Sequence, residues 1–282
     1  MRARGALGIG LGLALGLGLA LVAGAEAARS PFAYDRSAPL RFFDKGRVNH
    51  HYPIAVHDVS YESPKGGRVT AFLVLPPGKG PFPAVIYAHG SGGDRYDLLL
   101  PATWLAARGA VALTVDDPFA RDRSLEHASE AKQNAALVQD VVDLRRAVDL
   151  LQSRSDVDPR RIAFVGFSLG ARVGAVVAGE EPRVTAFDLM SGRGAPFGGP
   201  LDELAEIRKS QARFLFQVGR HDEVVPRSQL VALIVAAPKT KEVRWYDAGH
   251  LLNRRAFHDQ LRWLSGQLGL GGPLVRGAQA GP

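Results

Sequence analysis

The stretch Arg161-Ile162-Ala163-Phe164-Val165-Gly166-Phe167-Ser168-Leu169-Gly170-Ala171-Arg172-Val173-Gly174-Ala175-Val176-Val177-Ala178 decides how this chain is read. Its first five residues form a buried-looking run suited to a strand, and its last eight read as a helix. Between them a serine stands at the apex of a sharp turn, in the G-x-S-x-G pattern of a nucleophile elbow. The glycines two before and two after Ser168 remove side chains that would collide where strand and helix approach each other. The serine is thereby held at the mouth of a sheet, beside a helix N-terminus that favours negative charge. Five common residues are a weak signal alone, and the flanking strand and helix make it specific. The competing reading is a glycine-rich turn that closes strand on helix without chemistry.

Two downstream segments favour the chemical reading. The apolar run Phe214-Leu215-Phe216-Gln217-Val218-Gly219 leads into Arg220-His221-Asp222-Glu223-Val224-Val225-Pro226, and Val243-Arg244-Trp245-Tyr246 leads into Asp247-Ala248-Gly249-His250. Ser168, Asp222 and His250 thus follow three strand-like runs in the order serine, acid, histidine. A serine hydroxyl needs a base within hydrogen-bond reach, and His250 is the candidate. The imidazole needs a carboxylate to fix its tautomer and stabilise its cation. Asp222 fits that place, with Asp188, Asp247 and Asp117 as rivals. Asp247 shares a strand end with His250 and is expected to face away, while Asp116 and Asp117 precede Pro118 and read as turn formers.

On these residues the chain resembles the α/β-hydrolase superfamily, and within it the dienelactone-hydrolase-like esterases and their prolyl-oligopeptidase-type relatives. The similarity runs over residues 52–268. It implies a three-layer α/β/α fold with a mostly parallel sheet opened by an antiparallel hairpin. It also implies an oxyanion hole: His89-Gly90-Ser91-Gly92-Gly93 follows the strand ending at Ala88, and the backbone N–H groups of Ser91 and Leu169 are the expected donors. The dienelactone-hydrolase type carries a cysteine nucleophile where this chain has Ser168. Ester hydrolysis through a seryl acyl-enzyme therefore fits better than opening of a dienelactone ring. A serine peptidase or amidase, and a non-catalytic binding protein on the same fold, are the alternatives.

Composition bounds the reading. The 282 residues are 46% hydrophobic, enough for one substantial core, and a single catalytic domain is expected over residues 51–268. Arg2 and Arg4 precede an uncharged stretch from Gly5 to Ala25, and small residues at 23, 25 and 27 offer cleavage sites. This is the layout of a secretory signal peptide, so export to a periplasm or the medium is expected. An uncleaved anchor is the alternative, since ~20 apolar residues span a bilayer. With no cysteine in the chain there is no disulfide, thiol nucleophile or cysteine-ligated metal. The formal charge of +7 falls to +5 when a cut after Ala25 removes two arginines and no acid. Its arginines are scattered in pairs rather than gathered with aromatics, which argues against nucleic acid as a partner. No H-E-x-x-H or similar spacing supports a metal, and the reaction calls for no cofactor. The expected partner is a small-molecule or exposed ester.

Along the chain, residues 28–50 read as an ordered arm over the body. Residues 54–60 and 68–75 alternate as a hairpin turned by Ser63-Pro64-Lys65-Gly66-Gly67. Runs at 84–88, 111–115 and 184–190 are strands, and 101–108, 226–236 and 255–268 are helices. The clearest helix, over 131–153, carries Leu137, Val141, Leu144, Val148 and Leu151 at helical spacing, a core stripe without chemistry. Asp158-Pro159-Arg160-Arg161 reads as a turn into the elbow strand. The segments 120–130 and 193–209 are too short for a large lid, and the Gly- and Pro-rich tail 269–282 reads as flexible.

Overall fold

The most apolar strands of the sequence lie at the centre of the sheet. A computed structural model describes residues 30–49, 53–194 and 201–271. The expected signal peptide and its cleavage sites, and the tail beyond residue 271, lie outside those residues. Strand β4 (Phe82–Ala88) sits between β5 (Val111–Val115) and β6 (Val157–Phe167), parallel to both. Beyond β6 follow β7 (Val184–Met190), β8 (Arg213–Gly219) and β9 (Lys241–Tyr246), again all parallel. A parallel sheet is covered on both faces, so β4, β5 and the second half of β6 read as continuous apolar runs, while β9 at the edge is half-buried or exposed from Lys241 to Trp245.

On the other flank β3 (Arg68–Leu75), β2 (Ala55–Glu62) and β1 (Phe43–Arg47) run antiparallel, which gives the order β1-β2-β3-β5-β4-β6-β7-β8-β9. The β2–β3 hairpin keeps register from Ala55 opposite Leu75 to Glu62 opposite Arg68. Its turn works because Gly66 and Gly67 both take positive φ, 106° and 77°.

Helices cover both faces. On one side α3 (Glu130–Ser153), α4 (Leu169–Glu180), α5 (Glu203–Lys209) and α6 (Arg227–Ala236) pack through Leu144, Val176, Ile207 and Leu233. On the other, α1 (Leu99–Ala106) and α7 (Arg254–Gln267) contribute Leu105 and Leu264. A short helix α2 (Pro118–Arg121) follows β5. Alternate residues of β4 divide between the layers: Ala84 and Ile86 face α3 and α4, while Val85 and Tyr87 face α1 and α7. The whole stripe foreseen on α3, from Leu137 to Leu151, lies in the first core. Each such leucine or valine contributes about 1.5–3 kcal/mol by leaving water.

Three segments differ from the sequence reading. The arm over 28–50 supplies β1, an edge strand whose Phe43 is 58% exposed, so no buried alternation marks it. The expected turn at 158–161 is extended, since β6 starts at Val157 opposite Phe82 and shifts register before Ala84 meets Ile162. Within 193–209 lies α5, capped by Asp202, whose carboxylate accepts the Ala205 N–H at 2.8 Å.

Candidate active site

The serine at the β6–α4 junction is held in a conformation that only close packing sustains. Ser168 has φ 52° and ψ −106°, a left-handed backbone that costs a non-glycine residue on the order of 1–3 kcal/mol. Its N–H donates to the Met190 carbonyl at 2.9 Å, which ties the apex to β7. The flanking glycines are dictated by space. A β-carbon on Gly166 would lie 2.3 Å from the Gly170 carbonyl oxygen, and one on Gly170 would lie 2.2 Å from that of Ala88. No side chain fits at either place.

Across the C-terminal edge of the sheet the three expected residues converge. His250 Nε2 lies 2.9 Å from Ser168 Oγ, and its Nδ1 lies 2.9 Å from Asp222 Oδ2. With the ring proton on Nδ1 donated to the carboxylate, Nε2 is left to accept the serine proton. Asp222 is buried, its side chain 1% exposed, and its second oxygen accepts the N–H groups of Val224 and Val225, both at 2.9 Å. The aspartate is thus aimed by its own loop. The Phe167 ring packs against the imidazole with centroids 5.3 Å apart.

The rival acids stand elsewhere. Asp247 points into solvent and accepts a bond from exposed His221 at 2.7 Å. Asp188 is fully buried within β7, where burial pushes its carboxyl up to about 8. Asp117 caps α2 by accepting the Ala120 N–H at 2.7 Å. Only Asp222, of the four, touches His250.

The residues expected to supply the oxyanion donors, Ser91 and Leu169, lie in the loop after β4 and at the start of α4. Gly90 packs so closely that a β-carbon on it would sit 3.3 Å from Ser168 Cβ, so the loop that carries Ser91 passes beside the elbow. Leu169 opens α4, where the first helical N–H groups have no partner in the helix. Among the described residues neither N–H has a hydrogen-bond acceptor. Both residues line a cavity of about 640 Å³ whose walls include Phe119, Leu137, Gln133, Asn134, Arg172 and Arg193. Arg172 pairs with buried Glu203, and burial together with the Arg172 charge holds the Arg193 guanidinium below its ordinary range. The cavity mixes apolar walls with charged side chains and has room for more than an acetyl group. Among the described residues no group of three or more histidines and carboxylates is arranged to hold a metal ion.

One site residue carried no sequence signal. Ser191, just past β7, has φ 50°, is fully buried, and donates its hydroxyl to the His250 carbonyl at 2.8 Å. Its N–H donates to the Gln217 carbonyl at 2.9 Å, so it pins the histidine loop to the strand ends.

A model of the dienelactone hydrolase family matches residues 69–260. Esterase FrsA of Enterobacter sp. (strain 638) is 34% identical over 131 residues, 45% of this chain and 29% of that protein. Esterase FrsA of Salmonella typhi is 35% identical over 137 residues, 48% of this chain and 31% of that protein. The chain thus spans less than a third of the length of these relatives. Acetyl xylan esterase from Paenibacillus sp. R4 shares the fold with a TM-score of 0.68 at 23% identity, over 81% of this chain and 89% of that one. Acetyl Xylan Esterase 1 from Thermoanaerobacterium sp. JW/SL YS485 does so with a TM-score of 0.70 at 19% identity, over 86% and 92%. The family match takes in most of the strand-and-helix framework from β3 to α7 and all three converging residues, and the chain belongs to the dienelactone hydrolase family.

Proposed function

We propose that this protein is an exported serine hydrolase that cleaves carboxylic esters of small molecules through an acyl-enzyme. The observation that carries the reading is the relay Ser168–His250–Asp222, with both links at 2.9 Å. His250 takes the serine proton as Oγ attacks the ester carbonyl, and Asp222 holds the resulting imidazolium. The N–H groups of Ser91 and Leu169 receive the negative charge that develops on the carbonyl oxygen. Collapse of the tetrahedral intermediate expels the alcohol, which takes the proton from His250. Water then repeats the sequence on the acyl-serine and frees the acid. Family membership and the esterase relatives support ester bonds as the target, and no cofactor enters any step.

The decisive test is labelling with a fluorophosphonate, which phosphonylates an activated serine. Wild-type protein is expected to label at Ser168, and Ser168→Ala to lose both label and turnover of p-nitrophenyl acetate with its melting temperature intact. A variant that keeps more than a few per cent of the wild-type rate would place the nucleophile elsewhere. For export, the basic pair Arg2 and Arg4 and the apolar stretch after it imply removal of the leader. Protein recovered outside the cytoplasm should begin at Glu26 or Ala28 by mass spectrometry, and Met1 retained in a membrane fraction would refute cleavage.

A further inference from the structure

His89 follows directly on β4 and is buried, its side chain 2% exposed, and the proposed relay gives it no role. Its Nδ1 lies 2.8 Å from the Gly90 carbonyl oxygen, and its Nε2 lies 3.2 Å from the backbone nitrogen of Asp117. The Asp117 N–H is a donor, so Nε2 accepts, and the ring proton sits on Nδ1 and is donated to Gly90. The same Gly90 oxygen also accepts the Gly93 N–H at 3.1 Å.

The carbonyl of Gly90 and the N–H of Ser91 belong to one peptide unit, and that unit is trans. In a planar trans peptide the two groups point in opposite directions. Two bonds that fix the oxygen therefore fix the N–H on the opposite side of the peptide plane, in a loop where Gly90 packs against Ser168. A flip of this peptide would turn the carbonyl oxygen toward the developing oxyanion and replace attraction by repulsion. We propose that His89 is a positioning residue, holding the Gly90–Ser91 peptide so that the Ser91 N–H faces the oxyanion. The pair Asp116-Asp117 completes the device. Asp117 seats the ring through its N–H, while Asp116 Oδ1 accepts the Arg95 N–H at 2.8 Å and anchors the far end of the same loop. His89 is tied to the elbow as well, because its own carbonyl accepts the Gly170 N–H at 3.0 Å.

The inference rests on the reading of Ser91 as an oxyanion donor, and its test separates the two. His89→Phe keeps a ring of similar size and loses both bonds. Since deleting one oxyanion donor outright costs about 10²–10³ in kcat, misaiming it should cost about tenfold to a hundredfold, with KM within about twofold. Affinity for a trifluoromethyl ketone, whose hemiketal places an oxyanion in the hole, should fall by the same factor. Placed on Ser91→Pro, which deletes the N–H itself, His89→Phe should then cost little more. Loss confined to KM, undiminished ketone affinity, or effects that multiply in the double variant would each overturn the proposal. Should the variants fail to fold, ¹⁵N NMR of the wild-type histidines decides: a protonated Nδ1 and bare Nε2 on His89 support it, and the opposite tautomer sinks it. Failure of the serine-hydrolase reading would show separately, as no phosphonylation of Ser168 in wild-type protein.

Discussion

Asp222 follows β8 and Asp188 lies inside β7, the neighbouring strand, and the two carboxyls meet different surroundings. Asp188 accepts one bond, from Gln260 Nε2 at 2.9 Å, and its other oxygen has no partner among the described residues. Burial holds it protonated, up to about 8. Asp222 is equally shielded from water but gathers two backbone N–H groups and the His250 ring. The difference follows from the sheet. Inside a strand every backbone N–H is committed to the ladder, so a carboxyl there finds only side chains to satisfy it. Past the end of the strand the backbone turns, and its freed N–H groups can hold an anion and aim it.

The largest effect expected from this contrast is in Asp222→Asn. It keeps the shape but removes the charge that stabilises the imidazolium and the acceptor that fixes its tautomer. A fall in kcat of about a thousandfold or more on p-nitrophenyl acetate is expected. Near wild-type rates in Asp222→Asn alongside a dead Asp188→Asn would invert the assignment of the two acids.

A smaller effect sharpens the same contrast at the strand ends. Ser191→Ala deletes the hydroxyl that holds the His250 carbonyl, a bond worth on the order of 1 kcal/mol, so kcat should drop roughly fivefold with KM unchanged. An unaltered kcat would show that the histidine loop is held without it.

Asp188→Asn should leave the rate at pH 7 within about twofold of wild type, because no catalytic atom touches this residue. Its effect lies in stability, and the sign follows from the raised value near 8. Between about pH 4, where an unfolded aspartate loses its proton, and that value, the folded protein keeps a proton that the unfolded chain has released. Wild-type stability therefore declines through this window relative to the variant. Melting temperatures of the two proteins should diverge as pH rises from 4 to 8 in favour of Asp188→Asn, then run parallel. A gap that stays flat with pH would mean that Asp188 is not held protonated.

Legibility in the sequence follows from how strictly geometry limits residue choice. The elbow was readable because no side chain fits at 166 or 170. Asp222 and His250 were readable because each follows an apolar run at the edge where the fold presents its loops. The core stripe on α3 was readable because a helix packed on a sheet must repeat apolar residues along one side. What escaped was set by tertiary contact alone. Ser191 has no local pattern, since its bond reaches a carbonyl 59 residues away. Strand β1 escaped because Phe43, Asp44 and Lys45 are exposed at the sheet edge, with no alternation to betray them. The β6 entry escaped because Asp158 and Pro159 speak for a turn, and the pairing of Val157 with Phe82 overrides them.

The pairing of β4 directly beside β6 has a consequence for how activity arises as the chain is made. The oxyanion loop and the elbow touch in space, yet β5 and all of α3 lie between them in the chain. The proposed base, His250, comes later still, in the loop after β9, the last strand in the chain. On the proposed mechanism, a nascent or truncated chain that stops at Tyr246 would hold a serine of ordinary alcohol reactivity, because the group proposed to take its proton has not been joined. Hydrolytic power would therefore not grow by degrees along the chain: it would require the loop after β9, and a chain cut at Tyr246 is expected to show no turnover of p-nitrophenyl acetate.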